Sequence, residues 1–178
     1  GVEWVSGLSG NAMRTDEDGD FLRITNDSLS DHVNAGTVQA WVYPEGENYY
    51  TGIVHKGEET NFSDEAWSLQ FHTDLKPYFY FVSESGTAVS LMAPDQIPLN
   101  AWSHLSATWS YDVDTDTTEI ILYVNGTAVV TKSETGIGPA KASDGDVLIG
   151  SQLPEQYNAS YGHLTFMEII DEVAMYDR

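Results

Sequence analysis

The side chains best suited to chemistry begin with an acidic turn near the start of the chain. Residues 16–20 read Asp-Glu-Asp-Gly-Asp, so four carboxylates lie within five positions: Asp16, Glu17, Asp18 and Asp20. Hard cations such as calcium prefer oxygen ligands of this kind. The segment is therefore a candidate metal loop, and the alternative is an ordinary acidic turn on an acidic protein.

A second acidic run, 112–116, reads Asp-Val-Asp-Thr-Asp and matches the start of an EF-hand loop. An EF-hand needs glycine at its sixth position and a bidentate glutamate at its twelfth. Thr117 and Tyr123 occupy those positions here. We therefore interpret 112–116 as a solvated hairpin loop.

Glycoside hydrolysis would require a closely spaced pair of carboxylates. The two groups lie about 5–5.5 Å apart in retaining enzymes and about 6.5–9.5 Å apart in inverting enzymes. In the run 168–172, Glu168 and Glu172 share a strand face four residues apart, which is about 13 Å at ~3.3 Å per residue. The sequence also contains no Gly-x-Ser-x-Gly elbow and no His-Glu-x-x-His motif. These features favour a protein that is not an enzyme.

Two neighbouring segments alternate between apolar and polar positions, as half-buried strands do. Trp67, Leu69, Phe71, Phe79 and Phe81 point to the predicted core, and Ser68, Gln70, His72, Tyr78, Tyr80 and Val82 point away from it. A hairpin loop over 73–77 would pair His72 with Tyr78 and Gln70 with Tyr80. The segment 88–92 alternates likewise and places small residues beside this face, which leaves room for a groove.

The outward face of that hairpin has the chemistry of a sugar site. Aromatic rings stack on the C–H faces of sugars, and planar amides read their hydroxyls. Gln70, His72, Tyr78 and Tyr80 would form the floor of the site. Four loop tyrosines could wall it: Tyr49, Tyr50, Tyr157 and Tyr161.

Short β-rich segments separated by turn residues must position these groups. The candidate strands are 20–25, 36–43, 50–56, 66–73, 77–83, 87–93, 102–111, 117–125, 127–132, 145–151 and 161–176. No stretch repeats apolar residues at the 3.6-residue period of an amphipathic helix, and turns such as Asn125-Gly126 separate the segments. We predict an all-β fold, a two-sheet antiparallel sandwich or jelly roll.

Composition limits the classes of partner. The 178 residues include 28 Asp and Glu, 7 Lys and Arg and no Cys, which gives a formal net charge of −21. Nucleic acid would be repelled, and disulfide frameworks and thiol catalysis are excluded. No apolar run reaches the ~20 residues of a membrane span. We expect one soluble domain, 1–178, belonging to a larger exported polypeptide, with partners that are neutral, cationic or bridged by a cation.

A series of phrases, in order along the chain, resembles a known superfamily. They are Ser9-Gly10-Asn11-Ala12, Gly19-Asp20-Phe21-Leu22, residues 37–44 (TVQAWVYP), 52–57 (GIVHKG), 102–109 (WSHLSATW), 122–126 (LYVNG), Leu148-Ile149-Gly150 and 170–178 (IDEVAMYDR). Together they resemble the concanavalin A-like lectin/glucanase superfamily, in its laminin-G-like or pentraxin-like jelly-roll branch. That branch includes carbohydrate-binding modules, adhesin domains, sialidase lectin domains and protein-binding domains.

The resemblance also implies roles for single residues. Trp41, Trp102 and Trp109 fall on core positions of the family, and His104 in its Trp-x-His phrase would be structural. Two features depart from the family. Phe166-Met167-Glu168 lacks the glycine that relatives carry there, and no candidate strand precedes the Gly-Asn-Ala phrase.

In relatives, the final Ile-Asp-Glu phrase supplies an aspartate to a structural calcium, and Asp171 occupies that position here. The resemblance therefore implies a calcium site formed by Asp171 together with Asp16, Asp18 or Asp20. Strand parity agrees, because Asp171 faces away from Ile170, and a carboxylate beside a buried strand needs a counter-ion.

The expected function is a non-catalytic carbohydrate-binding module of a secreted or cell-surface protein, stabilised by structural calcium and binding a neutral glycan. An adhesion or protein-interaction domain, or a spacer, is the alternative, and a glycoside hydrolase is a distant third. Four N-glycosylation sequons, at Asn26, Asn61, Asn125 and Asn158, would matter only in a eukaryotic secretory host. The absence of cysteine favours a prokaryotic source.

Overall fold

The computed structural model describes residues 1–17, 19–25, 33–46, 50–57, 65–152, 165–166 and 168–178, together with the backbone of 157–158 and 162–163. Fifteen strands run through these residues. They are β1 Glu3–Ser6, β2 Asn11–Arg14, β3 Leu22–Ile24, β4 Ala35–Tyr43, β5 Gly52–Gly57, β6 Trp67–Phe71, β7 Pro77–Val82, β8 Ala88–Met92, β9 Ser103–Asp112, β10 Thr117–Val124, β11 Thr127–Thr135, β12 Asp146–Ile149, β13 Tyr157–Asn158, β14 Gly162–His163 and β15 Ile169–Tyr176.

The strands form two large antiparallel sheets. The seven-stranded sheet has the order β1-β2-β15-β4-β9-β10-β11, and the six-stranded sheet has the order β3-β12-β5-β6-β7-β8. Strands β13 and β14 pair antiparallel as a separate two-stranded sheet. The predicted all-β jelly-roll sandwich is confirmed. Within the described residues, no helix is long and apolar enough to cross a membrane.

The core lies between the two sheets and is centred on Trp109. Its indole ring lies 5.7 Å from that of Trp67, 6.0 Å from that of Phe79 and 6.3 Å from that of Phe81, centroid to centroid. Trp109 belongs to the seven-stranded sheet and the other three rings to the six-stranded sheet. Aromatic packing therefore joins the two layers.

The residues of one tight turn explain where β10 ends and β11 begins. Asn125 and Gly126 join β10 to β11 and both have positive φ values, 50° and 75°. This conformation defines the type I′ hairpin turn, whose twist matches that of the strands beside it. The prediction of a turn at Asn125-Gly126 is confirmed.

Two strand predictions are wrong at the ends of the chain. Strands β1 and β2 were not predicted, and β1 precedes the Gly10-Asn11-Ala12 phrase, where no strand was expected. Both strands are only four residues long and lie at the edge of their sheet, so their apolar pattern is short. The predicted strand 161–176 is in fact divided between β14 and β15.

Two of the three tryptophans assigned to the core lie elsewhere. Trp109 is buried as predicted, whereas Trp41 and Trp102 are half-buried on the outer side of the seven-stranded sheet. Along β4 the core-facing positions belong to Ala40 and Val42, which gives Trp41 the opposite parity. Trp41 packs against His104 at 5.2 Å, and Trp102 packs against Tyr43 at 5.5 Å.

Candidate ligand site on the six-stranded sheet

The predicted face assignments of β6 and β7 are confirmed. Five apolar side chains are buried in the core: Trp67, Leu69, Phe71, Phe79 and Phe81. Because successive side chains of a strand point to opposite faces, Ser68, Gln70, Tyr78 and Tyr80 lie on the outer face of the six-stranded sheet. Tyr78 and Tyr80 are half-buried there.

The predicted register of this hairpin is wrong by two residues. Gln70 pairs with Tyr78, and Ser68 pairs with Tyr80. The chain turns earlier than expected, since the amide of His72 donates to the carbonyl of Lys76 at 3.0 Å. A shift of two positions leaves every side chain on its predicted face.

The short loop inside that turn is held by a buried leucine. Asp74 and Leu75 adopt left-handed backbone conformations, with φ values of 57° and 54°. The side chain of Leu75 is buried in the core, and its carbonyl accepts a hydrogen bond from the amide of Ile97 at 3.1 Å. These contacts fix the loop and, with it, the position of His72.

Three rings meet at this end of the face. The ring centroids of Tyr50 and His72 lie 4.4 Å apart in an edge-to-face arrangement, and those of His72 and Tyr78 lie 5.2 Å apart. The backbone amide of Tyr50 donates to the carbonyl of His72 at 3.1 Å. Burial lowers the pKa of His72, and the nearby charge of Lys76 lowers it further. We call Tyr50, His72 and Tyr78 the ring cluster.

Beside the ring cluster, polar side chains line up across three strands. His55 of β5 pairs with Ser68 of β6, and Ser68 pairs with Tyr80 of β7. We call these three residues the polar row. Burial raises the pKa of Tyr80, and the charge of Glu65 and the nearby Tyr78 raise it further.

Several polar side-chain atoms on this side of the sheet are buried and make no hydrogen bond within the described residues. His55 and Ser68 are fully buried, and Gln70 is nearly so. Among the described residues, neither ring nitrogen of His55 makes a hydrogen bond, nor do Ser68 Oγ and Gln70 Oε1. Buried polar atoms in native proteins are normally paired with protein or with ordered water. These atoms lie beneath the surface, so the half-buried rings, rather than these atoms, are what a ligand can contact here.

The structure brings together five of the eight predicted ligand residues. Gln70, His72, Tyr78, Tyr80 and Tyr50 share this face. Tyr49 and Tyr161 lie outside the described residues, and for Tyr157 only the backbone, in β13, is described. The walls predicted from those three tyrosines therefore stay a prediction.

Asp171, the predicted calcium ligand, has backbone partners. Its Oδ2 accepts hydrogen bonds from the amides of Leu8 at 2.8 Å and Ser9 at 3.2 Å, and its Oδ1 accepts one from the amide of Glu172 at 2.9 Å. The carboxylate is buried. Its observed role is to hold the turn between β1 and β2.

Two other predicted calcium ligands, Asp16 and Asp20, lie at the opposite end of β2. Asp171 contacts the turn before β2, whereas the loop with Asp16 and Asp20 follows β2. Asp16 is exposed, and Asp20 is buried with Oδ1 at 3.1 Å from the amino group of Gly1. No group of three or more His, Asp or Glu side chains suited to a metal is found in the described part of the chain. These residues do not fit a shared site with Asp171, Asp18 lies outside the described residues, and calcium binding stays a prediction.

Residues 113–116 form the exposed turn between β9 and β10, within the hairpin loop predicted over 112–116. The amide of Asp114 donates to Asp112 Oδ1 at 2.9 Å, and this bond lowers the pKa of Asp112. A turn in which an aspartate side chain accepts from the backbone amide two residues on is typical of a solvated hairpin loop.

Sequence reasoning missed His55 and Glu65 as members of the site. Glu65 Oε1 lies 3.5 Å from His55 Nδ1, and both residues are buried. The available signal was the pair His55-Lys56 directly after the apolar residues Ile53 and Val54 of β5. The acid that approaches it comes from the start of another strand, and only the fold brings the two together.

The fold is similar to that of several solved structures. The binding domain of Paraclostridial Mosquitocidal Protein 1 has a TM-score of 0.69 at 16% identity, over 100% of this chain and 42% of that one. The CBM40 of the Ruminococcus gnavus IT-sialidase, bound to alpha2,3 sialyllactose, has a TM-score of 0.70 at 12% identity, over 94% of this chain and 89% of that one. Domains LG4-5 of the mouse laminin alpha1 chain have a TM-score of 0.72 at 14% identity, over 99% of this chain and 43% of that one.

This chain thus spans less than half the length of the toxin and laminin structures and nearly all of the CBM40. At such identities, the likeness shows a shared fold. The sequence has no significant match among curated proteins. The family model described as the concanavalin A-like lectin/glucanases superfamily matches residues 16–178. The chain therefore belongs to this superfamily, in its laminin-G-like branch.

Proposed function

We propose that this protein is a non-catalytic carbohydrate-binding module whose ligand lies on the outer face of the six-stranded sheet. The observation that carries the proposal is the ring cluster, whose three rings are half-buried and lie beside Gln70 on the outer face. Gln70 and Tyr78 are direct cross-strand partners, so a ring and an amide are presented side by side.

The chemistry of a sugar matches both parts of this surface. One face of a pyranose ring carries C–H groups that pack on aromatic rings, and its edge carries hydroxyls that donate and accept hydrogen bonds. The backbone hydrogen bond from Tyr50 to His72 holds two residues of the ring cluster in place. A site that is largely formed before the ligand arrives loses little side-chain entropy on binding.

The fold relationships support a binding role of this kind. One structural neighbour is a carbohydrate-binding module in complex with a sialylated sugar. Another is a pair of laminin domains, and a third is the binding domain of a toxin. A protein partner is accordingly the competing class. We also propose that the domain acts outside the cell as part of a secreted or surface protein, since laminin G-like and CBM-like domains are typically extracellular.

A glycan array, followed by calorimetry with the strongest oligosaccharide, tests the proposal. We expect the wild type to bind, and we expect Tyr78→Ala to lower the affinity about tenfold, since stacked aromatic anchors dominate such surfaces. Tyr123→Ala is the matched control, because Tyr123 is also half-buried but lies in β10 of the other sheet. A silent array with a folded sample, or equal loss in both variants, contradicts the proposal and favours an adhesion or spacer role.

A further inference from the structure

One part of the outer face of the six-stranded sheet is closed to a ligand. His55 of β5 and Ser68 of β6 are fully buried, and Gln70 of β6 is 7% exposed. They belong to the outer face because Val54 and Leu69, which alternate with them, are buried in the core. A ligand that contacts the ring cluster therefore cannot extend over these residues.

The part of the face over β7 and β8 is open. Tyr78 and Tyr80 of β7 are half-buried. Along β8, Val89 and Leu91 are buried in the core, so the residues that alternate with them face outward. These outward residues are Ala88 and Met92, which are exposed, and Ser90, which is half-buried. Because β8 lies at the edge of its sheet, the open part runs from the ring cluster to that edge.

Met92 continues the apolar surface of the ring cluster. It is the cross-strand partner of Tyr78, and it is 46% exposed. Cross-strand partners share a face and have Cβ atoms about 4.5–5.5 Å apart. A lone apolar side chain is ordinary on a protein surface, but this one adjoins a half-buried ring and extends it. The flexible, polarisable thioether of methionine adapts well to the surface of a ligand.

The resulting apolar surface is wider than one sugar ring. His72 lies directly after β6 and Met92 lies in β8, with Tyr78 of β7 between them. Neighbouring strands are about 4.8 Å apart, so two strand spacings, about 10 Å, separate the first residue from the last across the sheet. One pyranose ring covers only part of this span, and a second unit joined to it is needed to cover the rest.

We propose that Met92 forms a second sugar-binding position beside the ring cluster, so that the site takes a chain of at least two sugar units that crosses β7 and extends over the edge strand β8. The inference rests on the proposed function and names the ligand class of the same face. One unit packs on the ring cluster, and the next packs on the side chain of Met92. Ser90, two residues before Met92, is small and leaves room for the chain.

The gain from the second position is limited by two opposing effects. Covering the exposed apolar surface of Met92 favours binding. Fixing a flexible methionine and a further sugar unit loses conformational entropy, which opposes it. We therefore expect the second position to raise the affinity by about fivefold rather than by orders of magnitude.

A size series of glycan fragments tests the inference. The probes are the oligosaccharide that binds most strongly on the glycan array and its mono-, di- and trisaccharide fragments from each end, titrated and followed by NMR. We expect the wild type to bind the best trisaccharide about fivefold more tightly than the best monosaccharide. Met92→Ala should lower this gain to about twofold or less and keep the monosaccharide affinity within about twofold, because the ring cluster is intact. Met92→Leu should restore the gain, since leucine keeps an apolar side chain of similar size.

Ile24→Ala is the matched control, because Ile24 is a large apolar residue, 42% exposed, in β3 at the opposite edge of the same sheet. We expect it to bind every fragment as the wild type does, and thermal melts verify that each variant is folded.

Three results would overturn the inference: a wild type that binds the monosaccharide as tightly as the trisaccharide, a Met92→Ala variant that keeps the full gain, or a Met92→Ala variant that loses affinity equally for every fragment. If Tyr78→Ala loses binding while Met92→Ala behaves as the wild type, the proposed function stands and the second position is refuted. A wild type that binds no glycan refutes both.

Discussion

Gly36 and Trp109 are cross-strand partners, and the indole ring of Trp109 occupies the space where a side chain of residue 36 would lie. A Cβ atom on Gly36 would be 2.2 Å from Cζ2 of that ring. The same ring stacks on Phe79 of the opposite sheet, with the two planes 17° apart. Because residue 36 has no side chain, the indole ring of Trp109 can lie over this position of β4 and still contact the opposite sheet.

Gly36→Ala should lower the free energy of unfolding by about 1–3 kcal/mol, because the added methyl group overpacks a rigid aromatic core. Urea unfolding monitored by tryptophan fluorescence measures the change. Gly46→Ala is the control, since its Cβ atom would lie 3.2 Å from Oε1 of Glu168, at the end of a flexible side chain. We expect that variant to stay within about 0.5 kcal/mol of the wild type. Equal stability of Gly36→Ala and Gly46→Ala would show that the indole can move aside.

Asp171→Asn should destabilise the domain by about 1.5–3 kcal/mol, because charge-assisted hydrogen bonds to backbone amides are lost. Its acceptor role toward Leu8, Ser9 and Glu172 requires no metal ion. We therefore expect the variant to lower the melting temperature equally in calcium and in chelator. A calcium-dependent rise in the wild type that Asp171→Asn removes would support the predicted calcium site instead. Melts of the Asp20→Asn variant extend the test to the loop after β2.

Stability should also depend on pH through two histidines. Burial lowers the pKa of His72 and of His104 below the ordinary value of 6.5. As the pH falls through 6.5, the unfolded chain takes up protons before the folded chain does, so these groups reduce stability in acid. Between about pH 7.5 and about pH 5.5, the wild type should lose more stability than a His72→Gln/His104→Gln variant.

The comparison with that double variant matters because acid also relieves repulsion among the many carboxylates. That effect is common to both proteins and cancels in the difference. Urea unfolding at the two pH values gives the measurement. Parallel stability changes in the two proteins would mean that neither histidine is protonated preferentially in the unfolded state.

Replacement of Tyr78 by phenylalanine separates stacking from hydrogen bonding. The ring of Tyr78 packs against His72, with centroids 5.2 Å apart, and phenylalanine can keep that contact. We expect Tyr78→Phe to keep glycan affinity within about threefold of the wild type, whereas Tyr78→Ala loses about tenfold. Calorimetry on both variants decides between the roles. An equal loss in both would assign the recognition to the hydroxyl group.

Alternation made much of the sandwich predictable. The face assignments in β6 and β7 follow from period-two patterning, and the turn at Asn125-Gly126 follows from the conformations that those residues accept. The register of the β6–β7 hairpin was not predictable in the same way. It depends on Leu75, an apolar loop residue that the core buries, and no rule for loop sequences anticipates such a contact.

Some residues of the candidate site could be predicted from the sequence pattern, and others could not. Gln70, His72, Tyr78 and Tyr80 are neighbours in one hairpin, so patterning could place them together. His55 meets Glu65 through the pairing of β5 with β6 and the space left by Gly57, which depends on tertiary packing. The same holds for Asp171, since two of its three amide partners, Leu8 and Ser9, belong to a turn more than 160 residues away in sequence.

The place of β15 has a consequence for how the domain is made. This strand lies inside the seven-stranded sheet, between β2 and β4, although it follows all the other described strands along the chain. Until residues 169–176 leave the ribosome, β2 and β4 have no common neighbour, and each presents an open edge that can recruit other chains. Pairing over such a sequence separation is also slow. Assembly of this sheet therefore completes only after synthesis of the strand, and a chain stopped before residue 169 would be prone to aggregate.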